Sequence, residues 1–430
     1  MVNQLSSPLL TTMKHTVVAS ALFLLLWSCE SGTESPASTV RIPAEFEPQE
    51  AIWLGYKTVE ESDWSQPDTI TLEMIRAIHP YVRVNLIVES DTLVSDPMGT
   101  LRNQGIDTTN ISIVYQSPTD AWYRDPGPVF AVKDSELKVV DFKYTGYANV
   151  SPDSIDDWAR GHEGIDRDIA RRLGVDTINS IVAIEGGAFE TNGNGVLIQV
   201  EDITLKRNPH LTKSQIEADF KKCCGIEKVI WLPSGVADDP HNFNRIHGNI
   251  FGYGTGGHTD EFVRFADEST ILLSWVAEEE KSSHPIKRLN HERLSKNLEI
   301  LSKATDINGT PFEIIKVPHP DETLDTLTVK QDWFESPNWK ERFNRFGVQS
   351  GDTIYWAYAK SYMNYLITNQ VAIIPQYGDE NGPMNEKDLA VRELFERLYP
   401  NRKIVGLNPL FFNDGGGGMH CRFQTQPKIE

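Results

Sequence analysis

The chain has 430 residues, of which 39% are hydrophobic and 24% are charged. This composition is ordinary for a globular protein and excludes a disordered chain. The net charge of −20, from 61 acidic and 41 basic residues, argues against nucleic-acid binding, because phosphate neutralisation needs basic surface. It also produces a field that attracts cations.

The N-terminal residues are typical of an export signal. Met13-Lys14-His15 is basic, and the apolar stretch from Val17 to Trp27 is too short to span a bilayer. Cys29 then ends a Leu-Trp-Ser-Cys pattern similar to a bacterial lipobox, whose cysteine is lipidated after cleavage. We expect residues 1–28 to be a lipoprotein-type signal peptide and residues 29–40 a flexible tether. The protein would then be exported to the cell envelope, with this anchor as its membrane contact; an unlipidated signal peptide is the alternative.

Short strands and helices alternate along the rest of the chain. A hairpin is expected around Asn192-Gly193, between residues 180–190 and 195–205, because Asn-Gly suits a tight primed turn. A capping box at Thr212 predicts a helix that runs to Cys224. Further helices are predicted over 68–81, 155–173, 286–304 and 386–398, and strands over 82–88, 111–115, 137–142, 228–232, 262–265, 271–276, 312–317, 365–368, 371–375 and 403–407.

This pattern indicates a mixed α/β fold with hairpins among single strands, unlike a simple doubly wound parallel sheet. No Pro/Ser-rich linker divides the chain after residue 40, so we expect one large domain over residues 41–430. Two stretches, 236–256 and 318–350, are predicted to be surface excursions near the site or over it.

The chain has four cysteines, and their arrangement offers no disulfide framework. Cys223 and Cys224 are adjacent at a helix end and are interpreted as packing residues. Cys421 follows four consecutive glycines, Gly415 to Gly418. Ordering such a run is entropically costly, so it is kept where backbone must approach something closely. The run favours Cys421 as a nucleophile presented to a substrate; a flexible glycine-rich tail is the alternative.

Five polar clusters lie at strand ends or glycine-bounded turns, where function concentrates. Together they supply a thiol, an imidazole and several carboxylates. Carboxylates pair bidentately with a guanidinium, a thiolate can attack the guanidinium carbon, and a histidine can protonate the departing amine and later activate water. In strand geometry His258 and Asp260 would project to one face. The clusters are Asp120–Pro128, Glu185–Gly187, Thr255–Asp260, Ser361–Asn364 and His420-Cys421.

These clusters, with two further stretches, resemble the agmatine deiminase family, which also includes the bacterial-type peptidylarginine deiminases. The resemblance covers most of residues 42–421 in the family's order. The matching stretches are 42–53 (IPAEFEPQEAIW), 122–128 (WYRDPGP), 185–187 (EGG), 228–233 (KVIWLP), 257–260 (GHTD), 361–364 (SYMN) and 416–421 (GGGMHC).

The resemblance implies the pentein fold, a five-bladed α/β propeller of ββαβ units around a central funnel. It also implies metal-free and cofactor-free hydrolysis of a guanidine to a ureido product and ammonia, through a thiouronium on the cysteine. By position it assigns four catalytic residues and three that contact substrate. The catalytic residues are the nucleophile Cys421, the general acid/base His258, and Asp125 and Asp260, which hold the guanidinium. The substrate contacts are the aromatic wall Trp122, the carboxylate Glu185 and the amide Asn364.

The expected substrate is agmatine, converted to N-carbamoylputrescine, with peptidyl-arginine as the alternative. An export signal favours an extracellular guanidine such as peptidyl-arginine. The peptidylarginine branch, however, grips a C-terminal carboxylate with paired arginines about twenty residues past the guanidinium-binding aspartate. Here that region, residues 143–149, reads KYTGYAN and contains no arginine.

Three other classes of protein compete with this interpretation. A metal hydrolase could use His241, His247, His258 and Asp260, although their spacing matches no tight ligand pair. A papain-like protease would place its cysteine early and its histidine late, the reverse of the order here. A lipid-anchored binder of cationic ligands would need the carboxylates but not Cys421.

Overall fold

In the part of the chain that the structure describes, the strands form six sheets. The loops that enter the first strands of five of these sheets carry the predicted site residues. This computed structural model describes residues 40–56, 68–89, 96–147, 157–378 and 384–429. The predicted signal peptide, the lipidation residue Cys29 and nearly all of the predicted tether lie outside these residues. Within the described ranges, none of the helices has the length and hydropathy needed to cross a membrane.

The strands and helices have the following bounds. The strands are β1 (Val40–Arg41), β2 (Gln49–Gly55), β3 (Arg83–Val88), β4 (Ile111–Tyr115), β5 (Val129–Lys133), β6 (Glu136–Lys143), β7 (Thr177–Ala183), β8 (Glu190–Thr191), β9 (Val196–Val200), β10 (Lys228–Leu232), β11 (Asn244–His247), β12 (Ile250–Gly252), β13 (Val263–Phe265), β14 (Thr270–Trp275), β15 (Glu313–Pro318), β16 (Leu324–Thr328), β17 (Thr353–Ala357), β18 (Leu366–Ile367), β19 (Val371–Pro375), β20 (Lys403–Leu407) and β21 (Phe423–Pro427). The helices are α1 (Thr69–Ile78), α2 (Pro97–Asn103), α3 (Asp157–His162), α4 (Ile165–Leu173), α5 (Glu201–Arg207), α6 (Lys213–Cys224), α7 (Pro285–Leu301), α8 (Pro337–Arg345), α9 (Glu386–Leu398) and α10 (Leu410–Asp414).

Five of the sheets share one plan. A first strand pairs antiparallel with a second, a helical crossover follows, and a third strand pairs parallel with the second. In chain order these blades are β2-β3-β4 with β21, β5-β6-β7 with β1, β8-β9-β10, β13-β14-β15 and β18-β19-β20. The first blade takes its antiparallel strand from the far end of the chain, where β21 pairs with β2. The predicted ββαβ units of the pentein fold are confirmed.

The hydrophobic core is divided into wedges between successive blades. Helix α6 packs on β7, α7 on β10, α9 on β15, and α1 on β19 and β20, which joins the fifth blade to the first. Each wedge contains buried aliphatic side chains from two neighbouring blades, such as Ile52 and Ile373 between the first and fifth. The remaining wedges join the first and second, second and third, third and fourth, and fourth and fifth blades.

The structure corrects two of the predicted elements. The helix predicted over 155–173 is two helices, α3 and α4, and Gly164 is the N-cap residue of the second. The hairpin at Asn192-Gly193 is present, but it joins only β8 and β9. The predicted first arm, residues 180–190, begins in β7 of the preceding blade. The predicted second arm, residues 195–205, ends in α5, because the acidic residues of its first turn favour a helix N-terminus.

The two predicted excursions are parts of one additional sheet. Strands β11 and β12 come from residues 236–256 and β16 comes from 318–350, whereas β17 begins just after the second predicted stretch, at Thr353. The four strands pair in the order β11-β12-β17-β16. An aromatic core lies beneath this sheet, centred on Phe243, Phe251 and Phe343. The beginning of the first stretch is not at the surface, because Asp238 and Asp239 are buried.

Candidate active site

The predicted site residues lie in equivalent positions of the five blades. Each comes from the loop that enters the first strand of a blade: Asp125 precedes β5, Glu185 precedes β8, Asp260 precedes β13, Asn364 precedes β18 and Cys421 precedes β21. Three of these loops contain a short 3-10 turn, at Gly186–Ala188, Thr259–Glu261 and His420–Arg422. The repeated plan of the fold therefore brings distant parts of the sequence together.

Cys421 is buried among hydrogen-bonding groups. Its Sγ accepts from Asn364 Nδ2 at 3.3 Å and from the Gly418 backbone N–H at 3.5 Å. The thiol lies 3.6 Å from Asp260 Oδ2 and 3.9 Å from Glu261 Oε1. Burial and these carboxylates raise the pKa of Cys421 well above that of an ordinary thiol. The group is therefore a neutral thiol until positive charge is brought beside it.

Three of the four glycines before Cys421 are explained by close contacts. A Cβ on Gly417 would lie 2.8 Å from the ring of Trp122, and one on Gly418 would lie 2.4 Å from Asn364 Oδ1. Gly416 has φ +88° and passes against the Tyr253 carbonyl, which would lie 2.6 Å from a Cβ. The loop is thus fixed in place and is not a flexible tail.

His258 lies between two carboxylates. Its Nδ1 is 3.6 Å from Asp125 Oδ1, and its Nε2 is 3.4 Å from Glu185 Oε2. Burial lowers the pKa of this fully buried imidazole, but the charges of Asp125 and Glu185 outweigh that effect and raise the pKa to about 9. His258 is therefore an imidazolium at neutral pH and can donate a proton.

A buried carboxylate holds the loop that carries His258. Asp239 accepts from the backbone N–H groups of Thr255 (2.5 Å), Gly257 (2.8 Å), His258 (3.2 Å) and Gly256 (3.4 Å). It also accepts from the Thr255 hydroxyl at 2.7 Å. This loop leads into a 3-10 turn, so the strand geometry predicted for His258 and Asp260 is wrong.

Asp125 and Asp260 face a common point beside Gly187. A Cβ added to Gly187 would lie 2.6 Å from His258 Nδ1, 3.0 Å from Asp125 Oδ1 and 3.1 Å from Asp260 Oδ2. Only glycine leaves room there. The Gly187 N–H also donates to Asp125 Oδ1 at 3.1 Å. The predicted nucleophile, acid/base and paired carboxylates therefore surround one small region.

The two aspartates differ in their surroundings. Burial, followed by the charges of Asp260 and Glu185, raises the pKa of Asp125 to about 6, although the charge of His258 opposes this. Burial also acts to raise the pKa of Asp260, but the hydrogen bond from His420 Nδ1 (2.8 Å) and the charge of His420 overcome it and the pKa is lowered. Asp260 is therefore an anion at neutral pH.

Two buried polar atoms at this point have no hydrogen-bond partner within the described ranges: Asp260 Oδ1 and His258 Nδ1. Leaving such atoms unpaired is costly inside a protein. An acceptor oxygen beside a cationic ring nitrogen matches a ligand that offers both N–H donors and a nitrogen that can accept a proton.

Glu185, Asn364 and Trp122 were each predicted to contact substrate, and the structure gives them different surroundings. Arg207 Nε donates to both carboxylate oxygens of Glu185, at 2.8 and 2.5 Å. This carboxylate is therefore engaged by Arg207 and His258 and is placed to orient the imidazole. Asn364 Nδ2 contacts the sulfur of Cys421, the predicted nucleophile. Trp122 is half-buried against the glycine loop and Phe412.

Several residues of the site were assigned no individual role from the sequence, although His420 stands in one of the predicted clusters. Glu261 accepts from Asn364 Nδ2 at 2.7 Å and lies beside Cys421; its position directly after Asp260 was the available signal. Tyr147 donates its hydroxyl to Asp125 Oδ2 at 2.8 Å. His420 spans from Asp260 to Glu45, whose oxygens lie 3.0 and 2.9 Å from Nε2. Glu45 lies in the matching stretch 42–53, to which the sequence assigned no role.

The ligand set considered for a metal hydrolase does not come together. His241 lies 2.6 Å from Lys206 Nζ and 2.6 Å from the Tyr147 carbonyl, and His247 is exposed on β11. Among the described residues, the group with metal-ligating proximity is Asp260, Glu261 and Cys421, whose ligand atoms lie within 4.8 Å of one another. It coincides with the thiol site.

Comparisons with known proteins find relatives over nearly the whole chain. A family model described as Porphyromonas-type peptidyl-arginine deiminase matches residues 41–427. A putative agmatine deiminase of Photobacterium profundum is 29% identical over 397 residues, which cover 90% of this chain and 96% of that protein. An agmatine deiminase of Medicago truncatula is 29% identical over 409 residues, with 90% and 96% covered.

Solved structures extend the likeness to the fold. The agmatine deiminase of Enterococcus faecalis superposes with a TM-score of 0.68 at 26% identity, covering 91% of this chain and 97% of that one. A putative agmatine deiminase gives a TM-score of 0.70 at 26% identity, with the same coverage. The chain therefore has the pentein fold and belongs to the Porphyromonas-type peptidyl-arginine deiminase family, in which the agmatine deiminases are its relatives.

Proposed function

We propose that this enzyme hydrolyses the guanidinium group of agmatine, giving N-carbamoylputrescine and ammonia. The observation that carries the proposal is the convergence of His258 Nδ1, Asp125 Oδ1 and Asp260 Oδ2 about one point beside Gly187, with Cys421 Sγ 3.6 Å from Asp260 Oδ2. The relatives that cover nearly the whole chain are named agmatine deiminases, which supports this substrate.

The carboxylates provide the binding step. A guanidinium is planar and offers paired N–H donors, which suit carboxylates placed on different edges. Asp260 Oδ1, buried and unpaired in the described structure, gains a partner when such a cation binds. The ligand's positive charge also offsets the carboxylates that hold the Cys421 thiol neutral. Substrate binding therefore lowers the pKa of the nucleophile at the moment when the thiolate is needed.

The reaction then proceeds in two displacements. The Cys421 thiol loses its proton, for which Asp260 Oδ2 is the nearest acceptor, and the thiolate forms a bond to the guanidinium carbon. His258 gives its proton to the departing nitrogen as the C–N bond breaks, releasing ammonia and leaving a thiouronium. Neutral His258 next takes a proton from water, whose oxygen adds to the same carbon. As the C–S bond breaks, the added oxygen gives its remaining proton to the departing Cys421 sulfur, and the ureido product is released. The proton left on Asp260 passes to solvent, where ammonia takes it up as ammonium, so the starting enzyme is restored.

The first experiment is a substrate panel scored for ureido product: agmatine, free arginine, and peptides with internal or C-terminal arginine. We expect turnover of agmatine. Cys421→Ser should abolish it, while Cys223→Ser, a buried cysteine on α6, should not. Unchanged turnover by the Cys421 variant would remove the covalent mechanism. Absence of ureido product from every guanidine would leave the non-catalytic cation binder as the better description.

A second proposal concerns location. We propose that residues 41–430 are the catalytic domain and that a lipid on Cys29 holds it at the cell envelope, as the Leu-Trp-Ser-Cys pattern predicts. In a bacterial host, Cys29→Ser should move the protein from the membrane fraction to the soluble fraction without altering its specific activity. Equal distribution of the two forms would contradict the anchor.

A further inference from the structure

One stretch of the sequence has no part in the proposed reaction: residues 42–53, which begin before β2 and include Glu45. Glu45 contacts His420, whose Nε2 lies 3.0 and 2.9 Å from its two carboxylate oxygens. The other ring nitrogen, Nδ1, lies 2.8 Å from Asp260 Oδ2. His420 therefore links the unassigned stretch to one of the carboxylates proposed to bind the guanidinium.

The His420 ring is held in one orientation. It is fully buried, and the Phe423 ring meets it at an angle of 88° with the ring centroids 5.1 Å apart. A carboxylate can only accept, so hydrogen bonds at both ring nitrogens require an N–H on each of them. With both bonds formed, the ring carries a positive charge directly beside Asp260.

Glu45 is itself fixed by two arginines. Arg264 Nη2 donates to Glu45 Oε2 at 2.6 Å, and Arg124 Nη1 forms an ion pair with Glu45 Oε1. Arg264 Nε donates in turn to Glu190 Oε2 at 2.8 Å. Burial acts to raise the pKa of Glu45, but the charges of Arg124, His420 and Arg264 outweigh that effect and hold the pKa well below its usual range. Glu45 is therefore an anion at neutral pH.

Glu45 reaches the fourth blade by two routes. It bonds Arg264 of β13 directly, and through His420 it reaches Asp260, which precedes the same strand. Glu45 itself precedes β2 of the first blade, and His420 precedes β21 of that blade. These contacts fix the site loop of the fourth blade relative to the blade that carries the nucleophile.

Asp260 is the group whose charge depends on this link. Burial acts to raise its pKa, and the hydrogen bond and charge of His420 are the largest of the effects that lower it. The other charged or acidic groups that face Asp260 are His258, Arg124, Asp125, Glu261 and Cys421. Without the charge of His420, burial and the neighbouring acids would favour a protonated Asp260, which pairs poorly with a guanidinium.

We propose that Glu45 and His420 are positioning residues for guanidinium binding: Glu45 fixes the His420 ring with an N–H toward Asp260, and the charge of that ring keeps Asp260 ionised and oriented to the substrate. This role rests on the proposed function and adds to it two residues that act through Asp260.

The test uses His420→Asn, Glu45→Gln and the variant with both substitutions. Glu50→Gln, an exposed glutamate of the same stretch, is the matched control. Each variant is made in the active enzyme, where kcat and KM for agmatine are measured, and in the Cys421→Ser protein, where agmatine binding is measured by calorimetry. Both series are run at about pH 6 and about pH 8.5, on either side of neutrality, and the free energy of unfolding is measured for each protein.

An asparagine at position 420 can keep a donor toward Asp260 but carries no charge, so the pKa of Asp260 should rise. A carboxyl group with a raised pKa is protonated at the lower pH and ionised at the higher one. Relative to the unsubstituted protein, the loss of agmatine affinity at the lower pH should therefore exceed the loss at the higher pH by at least about tenfold.

Glu45→Gln should raise KM about tenfold and change kcat less, because one charged hydrogen-bond acceptor of His420 is replaced by a neutral one. In the His420→Asn background the same substitution should cost less than about twofold, since Glu45 acts through that ring. Glu50→Gln should leave both constants unchanged.

Two results would overturn the proposal. An equal loss at both pH values would reduce His420 to a structural support of its loop, and additive losses in the double variant would mean that Glu45 acts independently of His420. His420→Gln, judged by the same criteria, replaces the asparagine variant if that protein does not fold. Failure of the proposed function is distinct, because it appears as absence of ureido product in the unsubstituted enzyme, while agmatine binding to the Cys421→Ser protein still tests this link; absence of that binding would overturn both.

Discussion

Asp239→Asn gives the sharpest test of how the site is held together. Asp239 holds the loop that carries His258, and it is not one of the residues predicted to contact the substrate. Five donors converge on its two oxygens, three of them on Oδ2. An asparagine keeps one acceptor oxygen and turns an N–H₂ group toward the remaining donors. Two or three hydrogen bonds to a charged acceptor are lost, each worth about 1.5–3 kcal/mol.

Since such losses are not additive and the loop can relax, we expect a total of about 2–5 kcal/mol, shared between stability and the transition state. If half of it, about 1–2.5 kcal/mol, appears in the transition state, kcat/KM for agmatine falls about fivefold to seventyfold. The measurement is kcat/KM below the unfolding temperature, together with the free energy of unfolding. Asp267→Asn, an exposed aspartate after β13, is the control. If Asp239→Asn retained kcat/KM within about twofold, the buried carboxylate would not be what positions His258.

The remaining predictions concern the protonation states of the site residues and the space beside Gly187. The activity against pH should be bell-shaped: kcat/KM rises as Asp125 ionises near pH 6 and falls as His258 loses its proton near pH 9, and a flat profile between pH 5 and 10 would contradict these roles. Glu185→Gln removes a charge that raises the His258 pKa, so the falling limb should move to lower pH while KM changes little; a large rise in KM alone would instead support direct substrate contact. Tyr147→Phe removes a hydrogen bond that lowers the Asp125 pKa, so the rising limb should move to higher pH, as a pH–rate series can measure. Gly187→Ala places a methyl group 2.6 Å from His258 Nδ1 and should reduce agmatine turnover at least about a hundredfold, while far-UV circular dichroism is unchanged; normal turnover would mean that the substrate does not occupy this point.

Much of the fold could be predicted from the sequence where the signal is local. The strands β3, β4, β14 and β19 follow from apolar runs, and the capping box of α6 is present as expected. The blade order could not be found this way, because β21 pairs with β2 across most of the chain. The additional sheet was missed for the same reason, since β12 pairs with β17 a hundred residues later.

The site residues likewise divide into those with a local sequence signal and those that depend on long-range contacts. Cys421, His258, Asp260 and Asp125 stand in motifs of unusual composition, and the structure brings all four together. Asp239 lies in no such motif. Asp239 holds the catalytic loop because it accepts hydrogen bonds from five donors that lie sixteen to nineteen residues later in the chain. The spacing of apolar residues along the sequence does not predict such a contact. Glu185 lies beside His258, and its pairing with Arg207 depends on the fold of α5.

The pairing of β21 with β2 has a consequence for when the enzyme can act. The nucleophile immediately precedes β21, so its sulfur reaches the carboxylates only after the ring of blades has closed. A chain that extends only to α10 lacks both the reactive sulfur and His420, whose Nδ1 is hydrogen-bonded to Asp260. Reactivity toward a guanidine therefore requires that β21 has been synthesised and has paired with β2.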